Sequence, residues 1–456
     1  MRRTIVLLTT MALTLLVASG VALAVGIGSA GAQSSVVGPG ESIQKAVNAA
    51  DPGDTIVVKG VHREDVIIRK NGIKLRGEDD AVIEAPARAK ADSLCSRVSG
   101  PTAICVLGDF NPETGEVRRY VEDVSISGLT IRGFEAVGID VAAARDATVT
   151  KIRAVGNKNG MGTFLSIRTK FLSNVVRDSG EDAIGLERSR DVTISGNDVE
   201  GSSNSGIFIE EGTNATISSN DLTDNNLGML VVKSTGTKIL SNNDITDSTS
   251  VGTVIFDSTG TKILSNDISR SGDVGISIFG PERANNDAKV VGNNISGGPA
   301  GIYVADAHRG FFAGNTIHDN CAGMFFEANG SKEPVSGFEV KANTVENNTR
   351  SCRGGGFDRG HPNVSGIGIG LFGTTDMEVT ANHLSGNVPS GPTAFSGGVV
   401  VSTDPFFGGS AKLRNNSVIG NHFGRNKPDI FWDKSGSGNR FVGNLCNTSV
   451  PSSLCN

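Results

Sequence analysis

Between Asn174 and Asn266 the apolar and polar positions repeat with one period. Asn174, Asn197, Asn220, Asn243 and Asn266 recur every 23 residues. Three residues before each stands an apolar residue (Phe171, Ile194, Ile217, Leu240, Ile263), and two after it another (Val176, Val199, Leu222, Ile245, Ile268). Further on, a small residue, usually glycine, opens an alternating run, as in Gly206-Ile207-Phe208-Ile209, Gly275-Ile276-Ser277-Ile278 and Gly301-Ile302-Tyr303-Val304. Short alternating runs separated by Gly, Asn, Asp and Ser predict strands and turns, and the interval cannot hold a helix pair. One such unit cannot bury its apolar face alone. Stacked, each strand pairs with its counterpart one coil along at ~4.8 Å, and the inward columns merge into a continuous core. The pattern predicts an all-β fold: a single parallel β-helix, a solenoid of roughly a dozen or more coils.

The asparagine column is read as scaffold. A coil must turn sharply between strands, and Asn tolerates the left-handed backbone region better than other residues with a β-carbon. In register, its amides can hydrogen-bond along the stack. The apolar column three residues before the asparagine runs on through Val290, Phe312, Val340, Val379, Leu413 and Phe441, with looser spacing beyond Asn266. Extra residues inside a coil must leave it as loops, and such loops tend to gather on a binding face.

Outside the regular coils, Ile43, Ala46, Val47 and Ala50 form one apolar stripe, which predicts a short capping helix over 42–50, stopped by Asp51-Pro52-Gly53-Asp54. Strands are expected at Thr55 to Val58, Val66 to Ile68, Ile73 to Leu75 and Val82 to Glu84, with insertions at 86–103 and 109–120. Residues 1–32 read as a secretory signal peptide, with Arg2 and Arg3 before an apolar run and Ala30-Gly31-Ala32 as the cleavage site. The mature β-helix domain is then 33–456: linker and cap over 33–54, coils over 55–428, and a last coil and cap over 429–456.

Export changes how charge and cysteines are read. Cleavage removes two positive charges from a chain of net charge -6, so bulk electrostatics disfavours nucleic acid as a partner. The mature protein is expected to be extracellular or periplasmic, free of the membrane and monomeric. Six cysteines in sequence-local pairs, Cys95 with Cys105, Cys321 with Cys352 and Cys446 with Cys455, suggest three disulfides, the connectivity being inferred from proximity.

In the glycine-opened strands, the first and third positions after glycine are aliphatic and point inward, while the second and fourth point outward. The outward set includes Phe208, Leu230, Val254, Phe256, Phe279, Tyr303 and Phe325. Such a face lies beneath a loop or stacks on sugar rings, so Phe208, Tyr303 and Phe325 are candidate substrate contacts. Arg188, Glu211, Lys233 and Asp257 succeed one another as a salt-bridge ladder. Glu187 and Glu210 instead place two like charges at one outward position of adjacent coils. They are either splayed solvated side chains or a pair suited to substrate, proton or cation.

On the looped edge, Asp306 and His308 leave one coil, while Arg353, Asp358, Arg359 and His361 occupy the longest insertion, tied down by Cys352. Arg353 could neutralise a uronate, and Asp306, His308, Asp358, Arg359 and His361 could assist proton transfer, as lyases and epimerases require. No nucleotide loop, nucleophile elbow or zinc motif appears.

Gly180-Glu181-Asp182-Ala183-Ile184 resembles the Gly-Asp-Asp-Cys-[Ile/Val] stretch of polygalacturonases, which are parallel β-helix hydrolases. The family's Asn-x-Asp becomes Asn157-Lys158-Asn159 one coil earlier, and its Gly-His-Gly becomes Asn204-Ser205-Gly206 one coil later. Two of the three acid/base contributors the resemblance implies are therefore absent, and its mechanism is not carried over. With Asp178 nearby, Glu181 and Asp182 offer oxygen ligands to Ca²⁺, or form an ordinary acidic turn; no cofactor is required. At whole-chain scale, Gly40-Glu41-Ser42-Ile43-Gln44-Lys45-Ala46-Val47, Pro52-Gly53-Asp54-Thr55-Ile56 and the repeated coils resemble exported proteins of the pectin-lyase-like superfamily, including NosD-like accessory proteins of nitrous oxide reductase maturation. The resemblance, with general crossover chirality, implies a right-handed helix. It specifies the fold far more than the chemistry.

Two functional expectations follow. One is an exported protein that binds, and cleaves or epimerises, a polysaccharide along the outer strand face and the looped edge between Tyr303 and His361. The other is a non-catalytic wall, adhesion or scaffold protein whose outward apolar columns contact protein. Copper-accessory service, a third reading, lacks a Cys/His/Met cluster to hold the ion.

Overall fold

The computed structural model describes residues 32–78, 80–86, 101–280, 287–328, 334–353, 363–403, 411 and 413–455. Within them the chain winds through three long, wholly parallel sheets of 16, 14 and 15 strands. A representative coil places Thr193–Ser195 in sheet 1, Asp198–Glu200 in sheet 2 and Ser205–Glu210 in sheet 3, before Thr216–Ser218 returns to sheet 1 one strand along. Helix is scarce among the described residues, as the right-handed β-helix reading requires. The helix Ile43–Ala49 caps the first coil, with the Ser42 hydroxyl accepting from the Lys45 amide. The Glu64 carboxylate adds to the cap, accepting from the Ile43 amide at 2.6 Å and the Ser42 hydroxyl at 2.8 Å. An N-terminal strand, Ser34–Val37, pairs with Thr55–Val58 and opens sheet 1, where only a linker was expected.

The asparagines form the predicted ladder by a different backbone route. The left-handed conformation falls on the preceding residue, as at Ser173, Gly196, Ser219, Asn242 and Ser265, and not on the asparagine itself. This frees each asparagine to turn its amide into the core. Asn197 Nδ2 donates to Asn220 Oδ1 at 2.9 Å, and Asn220 Nδ2 donates in the same way to Asn243 at 2.9 Å. The Asn197 backbone N–H donates to that same Asn220 oxygen at 3.0 Å, so one side chain satisfies two buried donors at the turn.

Two inward assignments shift. An extra residue at Asn242 puts Ile239, and not Leu240, in register with Ile217 and Ile263. Near the far end, Val379 pairs with Val418, so Leu413 lies outside that column, and Asn382 donates to Asn421 across 39 residues, not to Asn416.

Long connections are confined to the two sides of sheet 3. Sheet 1 passes to sheet 2 through tight turns such as Gly196-Asn197, whereas 85–103, 347–366 and 386–396 enter sheet 3, and 108–124, 280–287, 328–335 and 403–416 leave it. Its outer face is therefore the one that insertions can wall or cover. Disulfides join Cys321 to Cys352 and Cys446 to Cys455. Cys105 is disulfide-bonded too, while its expected partner Cys95 lies outside the described residues. Cys352 also exchanges two backbone hydrogen bonds with Val364, fixing the base of the longest insertion. No helix among the described residues is long and apolar enough to cross a membrane.

Candidate functional site

Strand register brings four outward positions of sheet 3 into one column: Asp140, Gly162, Gly185 and Phe208. Alternation puts side chains here over the sheet, but two consecutive coils carry none. A β-carbon built on Gly185 would meet no atom within 4 Å. The floor between Asp140 and Phe208 is thus bare backbone, and a cleft of about 150 Å³ opens above it. Asn159, Glu181 and Asp182 line one side and Glu187 the other.

The walls are held by hydrogen bonds between coils. Asn159 Nδ2 donates to Glu181 Oε2 at 3.2 Å while its Oδ1 accepts from the Asp182 amide at 3.1 Å. Asp182 Oδ1 accepts from Asn204 Nδ2 at 2.9 Å and from the Ser205 amide at 3.0 Å. Burial raises the Asp182 carboxyl above the usual aspartate range, against these hydrogen bonds, and the Glu181 charge pushes the same way. Lys158 pairs with Glu181 at 3.3 Å, and among the described residues no arginine or lysine lines the cleft. The expected Glu187–Glu210 pair is in register, Glu187 facing the cleft and Glu210 beside it one coil along. Arg188 and Glu211 form the first rung of the charge ladder at 3.0 Å. The arrangement can hold a proton on one carboxyl beside other carboxylates, next to the half-buried ring of Phe208.

Of the two readings of the outward rings, cover by a loop is the one found at the looped edge. Tyr303 and Phe325 occupy the outward column yet are only 3% and 0% exposed. Phe325 stacks on Phe372 at 4.6 Å, Phe395 from the connection 386–396 packs on Phe372 at 5.8 Å, and Val364 joins the same apolar cluster. The Tyr303 hydroxyl donates to the buried Glu327 at 3.1 Å. These rings are a second core beneath loops, which corrects their reading as substrate contacts. Asp306 and His308 sit at the corner where sheet 3 returns to sheet 1, half-buried, with His308 Nδ1 2.7 Å from Ser336 Oγ. Arg353 is exposed beside Cys352. Asp358, Arg359 and His361 lie outside the described residues.

Asp140 and the paired glycines were not singled out from the sequence. Their signal was present: a carboxylate and then two glycines stand in a column that is mostly apolar in the coils beyond. Among the described residues no three or more His, Cys, Asp or Glu side chains gather in a geometry that would hold a metal ion. Glu181 and Asp182, read as Ca²⁺ ligands with Asp178, face the cleft, while Asp178 occupies the preceding turn with left-handed backbone.

The chain matches the family described as a right handed beta helix region over residues 182–335 and 281–447, and the family described as periplasmic copper-binding protein (NosD) over 47–243. No curated protein matches it significantly. Similar solved structures include the A-module of the mannuronan C-5 epimerase AlgE6 of Azotobacter vinelandii, at 15% identity over 89% of this chain and 93% of that one, TM-score 0.47. A GH136 lacto-N-biosidase from Eubacterium ramulus is 11% identical over 63% of this chain and 64% of that one, TM-score 0.49. The catalytic unit of a GH87 alpha-1,3-glucanase from Streptomyces thermodiastaticus is 14% identical over 93% and 70%, TM-score 0.43. With its three parallel sheets and its matches across 182–447, this chain belongs to the right-handed β-helix family.

Proposed function

We propose that the protein is an exported glycan-binding and glycan-cleaving β-helix whose site is the sheet 3 cleft between Asp140 and Phe208. The observation that carries this reading is the pair of outward glycines, which leaves a bare floor between walls of carboxylates. A sugar ring laid on Gly162 and Gly185 would meet backbone below it, the Phe208 ring at one end and carboxyl groups at both sides. Aromatic contact beside hydrogen-bonding carboxyl walls suits carbohydrate.

Carboxyl groups with separated protonation states suit glycoside hydrolysis, in which one protonates the leaving oxygen and another acts as base or nucleophile. Asp182, raised by burial, is assigned the acid. Glu187 or Asp140 is assigned the second carboxyl group. The acidic lining favours a neutral glycan over a uronate, because carboxylated sugars would meet like charge. This moves the site from the looped edge, where Tyr303 and Phe325 are covered. Export is part of the same proposal, supported by the disulfides and by the periplasmic description of the NosD family.

Purified protein incubated with neutral and uronic-acid polysaccharides tests the reading through retention and new reducing or unsaturated ends. New reducing ends from a neutral glycan, lost in Asp182→Asn, are expected. Retention without product would leave a binding module, and no retention on any glycan would favour the scaffold alternative.

A further inference from the structure

Away from the cleft, sheet 2 carries a pair of histidines whose placement is set by strand register. His383 and His422 are partners on adjacent parallel strands, His383–Ser385 and His422–Gly424, and both are exposed. Leu384 and Phe423 between the flanking outward positions are buried, so alternation fixes both imidazoles on the outer face. The backbone beneath is rigidly tied. Asn382 and Asn421, each next to one of these histidines, are buried and joined by a 3.0 Å amide hydrogen bond. The ring centroids stand 6.2 Å apart with 30° between planes.

We propose that His383 and His422 form a two-imidazole binding site for a divalent transition-metal ion of the Zn²⁺ class. Imidazole nitrogens bind such ions at about 2.0–2.1 Å. Since each ring nitrogen lies about 1.1–1.2 Å from its ring centre, two rings sharing one tetrahedral ion have centres about 5.1–5.4 Å apart. The observed 6.2 Å is wider than this. Side-chain rotation at exposed positions then brings the nitrogens together without moving the strands. Water completes the coordination shell, as the site offers two protein ligands and no larger cluster of metal-binding side chains occurs among the described residues. Both histidines lie beyond residues 47–243, the stretch matched by the NosD family, so the assignment rests on register and ring geometry alone.

Another histidine on this sheet, His318, supplies the control. His318 has Nδ1 2.8 Å from Asp319 Oδ2 and Nε2 3.2 Å from Asn294 Oδ1, so both of its nitrogens are engaged. Calorimetric titration of Zn²⁺ into the metal-free protein should show one ion bound per chain at micromolar concentration. His383→Ala and His422→Ala should each weaken binding at least tenfold, and His318→Ala should leave it unchanged. Zn²⁺ should also raise the melting temperature of the wild type but of neither variant. As both side chains are exposed, the variants should melt like the metal-free wild type, which separates loss of the site from loss of the fold. Absence of binding up to millimolar Zn²⁺, or undiminished binding in either single variant, would overturn the assignment.

Discussion

Asn204 donates its side-chain amide to Asp182 Oδ1 at 2.9 Å from the next coil, so the orientation of the buried carboxyl is set by the stacking of the helix itself. The hydrogen bond and the raised protonation range oppose each other, and burial is the larger effect. Asp182→Asn keeps an oxygen to accept from Asn204 and Ser205 and removes the charge that burial disfavours. Circular dichroism and melting should show an intact fold with unchanged or higher melting temperature. Glycan cleavage should fall by a factor of about 10² or more, the usual scale for a lost general acid.

The same group predicts a pH dependence. Its folded-state pKa lies above the unfolded value, so between the two the folded chain holds more protons and stability falls as pH rises through that window. The wild type should therefore lose melting temperature relative to Asp182→Asn as pH climbs from the ordinary aspartate range through the raised value. Cleavage should decline over the same interval as the acid loses its proton. A constant difference between the two melting curves would count against the shift.

Phe325 should behave as a core residue. Phe325→Ala removes a fully buried ring packed on Phe372 and Tyr303, and a truncation of this kind costs about 3–5 kcal/mol. Denaturant or thermal melting should report that loss. A fully stable variant with selectively weaker glycan retention would return Phe325 to the binding surface.

The ladder yields a stability prediction of another kind. Asn220→Ala deprives the Asn197 amide and the Asn197 backbone N–H of their common acceptor. Each orphaned buried donor costs about 1–3 kcal/mol, so this substitution should lower the melting temperature far more than Ser218→Ala in the same coil. Equal melting of the two variants would contradict the ladder's role.

These contrasts mark what the sequence could disclose. The coil period, the capping helix and the inward columns follow from local spacing and were legible. A single extra residue at Asn242 was enough to move the inward position from Leu240 to Ile239, because side-chain direction changes with each residue along a strand. The left-handed turn residue was placed one position late, since Asn is attractive both for that conformation and for its amide, and here the amide decides. Burial of Phe325 depends on Phe372 one coil along, itself packed against Phe395 from a connection far along the chain, and no local pattern reports that. The cleft was half legible: Glu187, Phe208 and Asp182 were noticed singly, but only the register places Gly162 and Gly185 between Asp140 and Phe208.

That placement is the claim most open to direct test. Gly185 has no left-handed backbone requirement and has open space where a β-carbon would stand, so Gly185→Leu should fold normally while filling the floor of the cleft. Equilibrium binding of the retained neutral glycan to wild type and Gly185→Leu is the decisive measurement. Affinity should fall at least tenfold in Gly185→Leu, with unchanged circular dichroism and melting temperature. Equal affinity in the two proteins would contradict the claim and place the glycan elsewhere on the helix.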